Sequence, residues 1–133
     1  MPDETRIPIR HDMDIITARQ EARELATSIG FSGSDLTVIA TAISEVVRNI
    51  VVYAKAGELR LSPTRNNHRM GILIVAQDNG PGIADIGQAM QDGYSSGGSL
   101  GLGLPGARRL MDEFEIVSAP GAGTTVTMRK WKT

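Results

Sequence analysis

Met70-Gly71-Ile72-Leu73-Ile74-Val75-Ala76-Gln77-Asp78-Asn79-Gly80-Pro81-Gly82 reads as a buried strand that runs straight into a turn. The apolar run from Met70 to Ala76 is typical of a central strand. Asn-Gly and Pro-Gly pairs then break the chain. A carboxylate at the end of such a strand can accept a hydrogen bond from the exocyclic amine of adenine. Gly80 and Gly82 can let backbone approach a flat ring or a phosphate with no side chain in the way. Taken alone, the segment also fits an ordinary turn between two elements.

Three further segments surround it in the chain. Upstream lies Ser44-Glu45-Val46-Val47-Arg48-Asn49. Glu45 and Asn49 are four residues apart, so on a helix they point the same way, one above the other. A carboxylate there can act as a general base toward a hydroxyl or a water. An amide oxygen one turn on can be a ligand for Mg²⁺, which prefers oxygen donors. A solvated polar face with a local side-chain hydrogen bond is the commoner explanation of the pair when it is taken alone. Downstream, Gly97-Gly98-Ser99-Leu100-Gly101-Leu102-Gly103-Leu104 leads into a helix. Helix N-termini offer free amides and partial positive charge, so Gly101, Gly103 and the helix starting near Leu104 can hold phosphates. A flexible connector is the plain alternative. Last comes Gly121-Ala122-Gly123-Thr124-Thr125. The Thr124 hydroxyl can share a bridging water with an adenine carboxylate, although a β-branched strand start accounts for threonine by itself. In this order and spacing, the four segments make a pocket for ATP or ADP the leading reading. Arg108 or Arg109 can reach a γ-phosphate, or both can lie on a solvated helix face.

Composition narrows the alternatives. The chain has 133 residues, 41% hydrophobic and 22% charged, with net charge −1 and no cysteine. That length suits one domain spanning residues 1–133. Disulfides, thiolate metal sites and a cysteine nucleophile are excluded. No basic stripe is present, which argues against nucleic acid as the main partner. The N-terminus has no signal-peptide pattern, and no unbroken apolar run of membrane-spanning length occurs, so a cytoplasmic protein without membrane contact is expected. There is no Gly-Lys-Ser/Thr loop and no βαβ opening, which argues against the Walker and dinucleotide folds. His11 and His68 stand apart in no metal-ligand spacing and read as surface residues. Met70, Met111 and Met128 read as core filler.

The element pattern is that of an α/β two-layer sandwich. Thr5 to Arg10 reads as an edge strand, because Pro8 lacks an amide proton. Asp12 is expected to cap a helix with the stripe Ile15, Ala18, Ala22, Leu25, Ala26 and Ile29, ended by Gly30. Ser32-Gly33-Ser34-Asp35 resembles a capping box, with Phe31 and Leu36 as a hydrophobic staple. The helix after it carries Leu36, Ile39, Ala40, Ile43, Val47, Ile50 and Ala54, and ends between Tyr53 and Gly57. Glu58 to Ser62 reads as a strand and Pro63 to His68 as a polar loop. Ile83 to Met90 reads as a short helix and Gln91 to Gly101 as a loose stretch rich in Gly and Ser, with Gly93 to Gly98 as a lid. Leu104 to Asp112 reads as a helix with Pro105 in its first turn. Phe114–Ser118 and Thr124–Trp131 read as a closing hairpin. Together they predict a mixed, mostly antiparallel sheet with helices on one face.

The combined motifs resemble the GHKL ATPase superfamily of gyrase, Hsp90, histidine kinases and MutL, whose nucleotide domain is the Bergerat fold. Glu45 and Asn49 match its N box, Asp78 to Gly82 its first glycine box, Gly101 to Leu104 its second, and Gly123-Thr124 its last. The chain is shorter than gyrase or Hsp90 and shows no phosphoacceptor helices of a histidine kinase. Ala42-Ile43-Ser44-Glu45, Arg48-Asn49-Ile50, Tyr53-Ala54 and Arg109 to Phe114 resemble the small RsbT-type switch kinases of the bacterial stressosome. That resemblance implies Mg²⁺-dependent phosphorylation of Ser or Thr on STAS-domain scaffold and antagonist proteins. It implies Glu45 as catalytic base and Asn49 as metal ligand, with Asp78, Gly80, Gly82, Gly101, Gly103, Leu104 and Thr124 around the nucleotide. It further implies a second role in the general stress response, activation of a PP2C-type phosphatase. The sister RsbW-like anti-sigma kinases bind and sequester a sigma factor instead.

Overall fold

The computed structural model describes residues 4–83, 90 and 103–132. Its order is β1 (Thr5–Ile9), α1 (Met13–Ile29), α2 (Ser34–Asn49), a π-helical turn (Ile50–Ala54), β2 (Gly57–Asn66), β3 (Arg69–Asp78), α3 (Gly103–Leu110), β4 (Glu113–Ser118) and β5 (Thr124–Trp131). The five strands form one sheet in the order β1-β2-β3-β5-β4, and every pairing is antiparallel. β3 is central, as its apolar run predicts, and β1 with Pro8 is an edge.

Alternation along the strands sends one set of side chains to the helices. Ile7, Ile9, Leu59, Leu61, Ile72, Ile74, Val126 and Met128 meet Ala18, Ala22 and Ala26 of α1 and Ile39, Ile43 and Val47 of α2 in one core. Each fully buried branched side chain contributes on the order of 2 kcal/mol. The alanine stripe of α1 lets that helix lie close to its neighbours. α2 buries more than the predicted stripe, because Ala42 and Val46 are buried too. The reason is its central position: α1, α3 and the sheet all pack against it. Among the described residues, the helix Ser34–Ala54 is the one long and apolar enough, by length and composition, to cross a membrane; its apolar side is the one that covers the sheet. On the other face of the sheet, Arg6, Glu58, Arg60, Leu73, Val75, Thr127 and Glu115 carry no helix among the described residues.

Several local expectations are corrected. Asp12 makes no side-chain cap on α1; the Asp14 carboxylate instead accepts from the amides of Arg10 and His11, at 2.7 and 2.9 Å. Those two bonds lower its pKa below the ordinary aspartate value. The capping box before α2 does not form either. Gly33, at φ 60°, is the cap residue and makes no side-chain bond. The staple residues do pack, Phe31 in the core and Leu36 against it. Gly30 ends α1 as expected, in the left-handed region at φ 119°. The predicted loop from Pro63 is strand as far as Asn66, paired residue for residue with β3, and only Asn67 and His68 turn. These residues read as a loop because this end of β2 is half-buried to exposed, where water satisfies polar side chains. Met111 and Met128 are core residues, while Met70 is half-buried. The short helix expected from Ile83 and the lid to Gly101 fall almost wholly outside the described residues.

Candidate functional site

The last rung of the sheet brings the separated motifs together. Asp78 on β3 pairs with Gly57 on β2 and Thr124 on β5, and Thr124 pairs with Ser118 on β4. Asp78, Thr124 and Ser118 therefore stand side by side on the helix face of the sheet. Asp78 and Thr124 are the two polar residues in the buried set, 7% and 5% exposed. A buried carboxylate must find donors to offset its lost hydration. Oδ1 of Asp78 accepts from the Gly80 amide at 2.9 Å and from the Thr124 amide at 3.2 Å.

Glycines let the chains around this rung approach closely. A Cβ on Gly123 would collide with the Asp78 carbonyl oxygen, and one on Gly82 with that of Ala119. Both have φ near +78°, a region that disfavours other residues. The Gly121 amide donates to the Pro81 carbonyl at 2.7 Å, which ties the β4–β5 loop to the Asp78 turn. A Cβ on Gly80 would lie 2.5 Å from the Ala54 Cβ. Gly80 and Gly82 thus serve first to seat neighbouring chain segments, a reason not visible in the motif itself.

The π-helical turn carries the end of α2 over the rung. Its extra residue ends at Lys55, whose amide bonds the Ile50 carbonyl at 2.8 Å in the left-handed region. A Cβ on Gly57 would stand 2.9 Å from Ile50 Cγ2 and 3.1 Å from Asp78 Cβ, so these side chains meet across that glycine. Asn49 directly precedes Ile50, and Glu45 stands one turn back; both are half-buried. α3 packs against α2, which sets Gly103, at φ 54°, beside the same helix. The Leu104 side chain is buried in the core. Arg108 and Arg109 are exposed on α3. A depression lined by Ala54, Ala56, Gly57, Glu58, Gln77 and Asn79 reaches round the rim to the uncovered face. Gly101 lies outside the described residues. Glu45, Asn49, Asp78, Gly80, Gly82 and Thr124 are thus distributed over the helix-side end of the sheet, with Gly103 alongside.

Sequence reasoning missed Ser118. Nothing distinguishes a serine at a strand end until the register of β4 on β5 is known. Its hydroxyl accepts from the Ile83 amide at 2.7 Å, lies 3.0 Å from the Gly123 carbonyl oxygen and 2.8 Å from Thr124 Oγ1.

Comparison with known proteins bears on the fold and the family. The histidine kinase-like ATPase domain family matches residues 9–130. The serine/threonine-protein kinase RsbT of Bacillus subtilis is 44% identical over 98% of both chains. The anti-sigma F factor of a Thermoanaerobacter species is 30% identical over 86% of this chain and 82% of its own. The mycobacterial sensor histidine kinase MprB shares the fold with a TM-score of 0.57 at 14% identity, over 98% of this chain and 97% of the other. The chain belongs to the histidine kinase-like ATPase domain family, alongside the serine/threonine-protein kinase RsbT and the anti-sigma F factors.

Proposed function

We propose that the chain is an ATP-dependent protein-serine/threonine kinase, one catalytic unit throughout, acting in the cytoplasm. The observation that carries this reading is the buried Asp78 carboxylate, held by two backbone amides at the end of β3 beside the turn that follows Asn49. Oδ1 is engaged by the protein, and Oδ2 accepts the adenine amine. Gly80, Gly82 and Thr124 shape the purine end. The amides around Gly101, Gly103 and Leu104 receive the phosphates at the start of α3. Glu45 orients the acceptor hydroxyl and takes its proton as the γ-phosphoryl group moves to that oxygen and ADP leaves. Positioning and charge stabilisation supply most of the acceleration.

Among the described residues no group of three or more His, Asp or Glu side chains could hold a metal ion. Mg²⁺ binds through one or two protein oxygens and the substrate phosphates, and needs no such group. The Asn49 amide oxygen is the ligand this chain offers, and Mg²⁺ when bound neutralises the triphosphate charge.

The identity to a serine/threonine-protein kinase supports the kinase reading; the acceptors in this proposal are STAS-domain scaffold and antagonist proteins, and the partner activated after release is a PP2C-type phosphatase. The similarity to anti-sigma F factors supports a second reading, a kinase that holds a sigma factor. Incubation with labelled ATP and a STAS-domain protein tests the first. Label on Ser or Thr of that protein is expected, and Glu45→Ala should reduce transfer more than about 100-fold with ADP affinity kept. Unlabelled acceptor together with tight capture of a sigma factor would favour the second.

A further inference from the structure

We propose that Arg48 is a specificity-determining residue that reads an acidic side chain beside the acceptor Ser or Thr of the protein substrate. The inference rests on the kinase site proposed above. It starts from the order of side chains around α2, where each residue advances about 100°. Measured from Glu45, Asn49 lies about 40° toward the core stripe of Ala42, Ile43, Val46 and Val47, and Arg48 about 60° away from it. Passing outward from the sheet, the order is therefore Asn49, Glu45, Arg48. Asn49 adjoins the π-helical turn over the Asp78 rung, so nucleotide and metal belong on its side. The acceptor hydroxyl meets Glu45. The chain that carries this hydroxyl then leaves across Arg48.

The chemistry of that face singles out one class of contact. Glu45 and Arg48 are the charged residues of α2 beyond its first turn. Thr41 and Ser44 flank them, but both hydroxyls donate to their own helix, to the Thr37 carbonyl at 2.8 Å and the Ala40 carbonyl at 3.0 Å. The arginines of the sheet are engaged: Arg6 and Arg60 with Glu58, Arg129 with Glu113, Arg65 with Met70 and Arg69 on the Trp131 ring. Arg48 is half-buried, and no hydrogen bond, ion pair or ring contact holds it among the described residues. A protein that covers a guanidinium removes water from it and must return an anion. A carboxylate meets the planar fork with two parallel bonds. A cation in the last turn also suits the helix dipole, but that role asks only for charge and would be served by lysine.

Steady-state phosphorylation of a STAS-domain protein by the intact chain tests this. Arg48→Ala should raise KM for that protein about tenfold, while kcat and KM for ATP stay as in the parent chain. Arg48→Lys keeps the charge but loses the fork, so KM for the acceptor should rise here too. In the acceptor, the carboxylates around the labelled Ser or Thr are replaced one at a time by alanine. One of these changes should raise KM as Arg48→Ala does, and the two together should add nothing further.

An unchanged acceptor KM in Arg48→Ala, or losses that add for every acceptor carboxylate, would overturn the proposal. So would a fall in kcat at constant acceptor KM, which puts the guanidinium on the transferred phosphoryl group instead. If Arg48→Ala does not fold, the same readings on Arg48→Gln decide. A parent chain that labels no STAS-domain protein defeats the proposed function itself. A parent chain that labels one, with acceptor KM unchanged in Arg48→Ala, defeats this inference alone.

Discussion

β5 begins at Thr124 and ends at Trp131, and its two ends are built to opposite purposes. Trp131 is 5% exposed although it lies on the face without helices. Its indole N–H donates to Glu113 Oε2 at 2.9 Å and its amide to Asp112 Oδ2 at 2.7 Å. The Arg69 guanidinium lies 5.3 Å from the ring centroid, and Gly71 leaves room for the ring against the sheet. Both donors of Trp131 are therefore satisfied within the chain. The Thr124 end also joins strands through side-chain bonds, but there both bonds to Asp78 fall on Oδ1. One end is a closed knot that stabilises the sheet. The other is the end where the nucleotide site is proposed. Satisfied polar groups mark structure, and a buried carboxylate braced on one oxygen marks a site.

Substitutions should separate the two ends. The largest effect is expected for Gly123→Ala, whose new methyl collides with the Asp78 carbonyl and whose φ of 77° disfavours alanine. A stability loss above about 4 kcal/mol is expected, measured by urea denaturation, with ADP binding lost as well. Trp131→Ala should cost about 3–5 kcal/mol in the same experiment. ADP affinity should stay unchanged, since that end holds no ligand. A fall in affinity would erase the distinction between the ends. Asp78→Asn should do the reverse, weakening ADP by about 10- to 100-fold in calorimetry with a melting temperature near that of the parent chain.

A carboxylate belonging to neither end supplies the baseline. The Asp14 pKa is lowered by the amides of Arg10 and His11. Its stabilisation is therefore present above the ordinary aspartate value of 3.8 and is lost as pH falls through the still lower folded value. Asp14→Asn should flatten the acid limb of a melting curve taken between about pH 2 and 6. The change at neutral pH should be the smallest of the set, because this group is exposed.

Much of this was legible in the chain, and the parts that were not share a cause. β3, the Asp78 turn, the Gly30 stop and the burial of Ile39, Ile43 and Val47 follow from local pattern. The caps were misplaced because Asp12 and Asp14 offer the same chemistry two residues apart. Only the direction in which the chain enters α1 chooses between them. β2 was read too short because polar residues at the half-buried to exposed end of a strand look like loop residues.

The amino-acid order alone determined the family motifs, the strand–turn at Asp78 and the pairing of Glu45 with Asn49 on one helix, since each depends on neighbours within a few residues. Tertiary structure alone decided that β5 lies between β3 and β4. That placement sets Ser118, Thr124 and Asp78 on one rung. Residues 35 and 46 positions apart in the chain become hydrogen-bond partners only once the sheet register is closed, and no local pattern encodes that register.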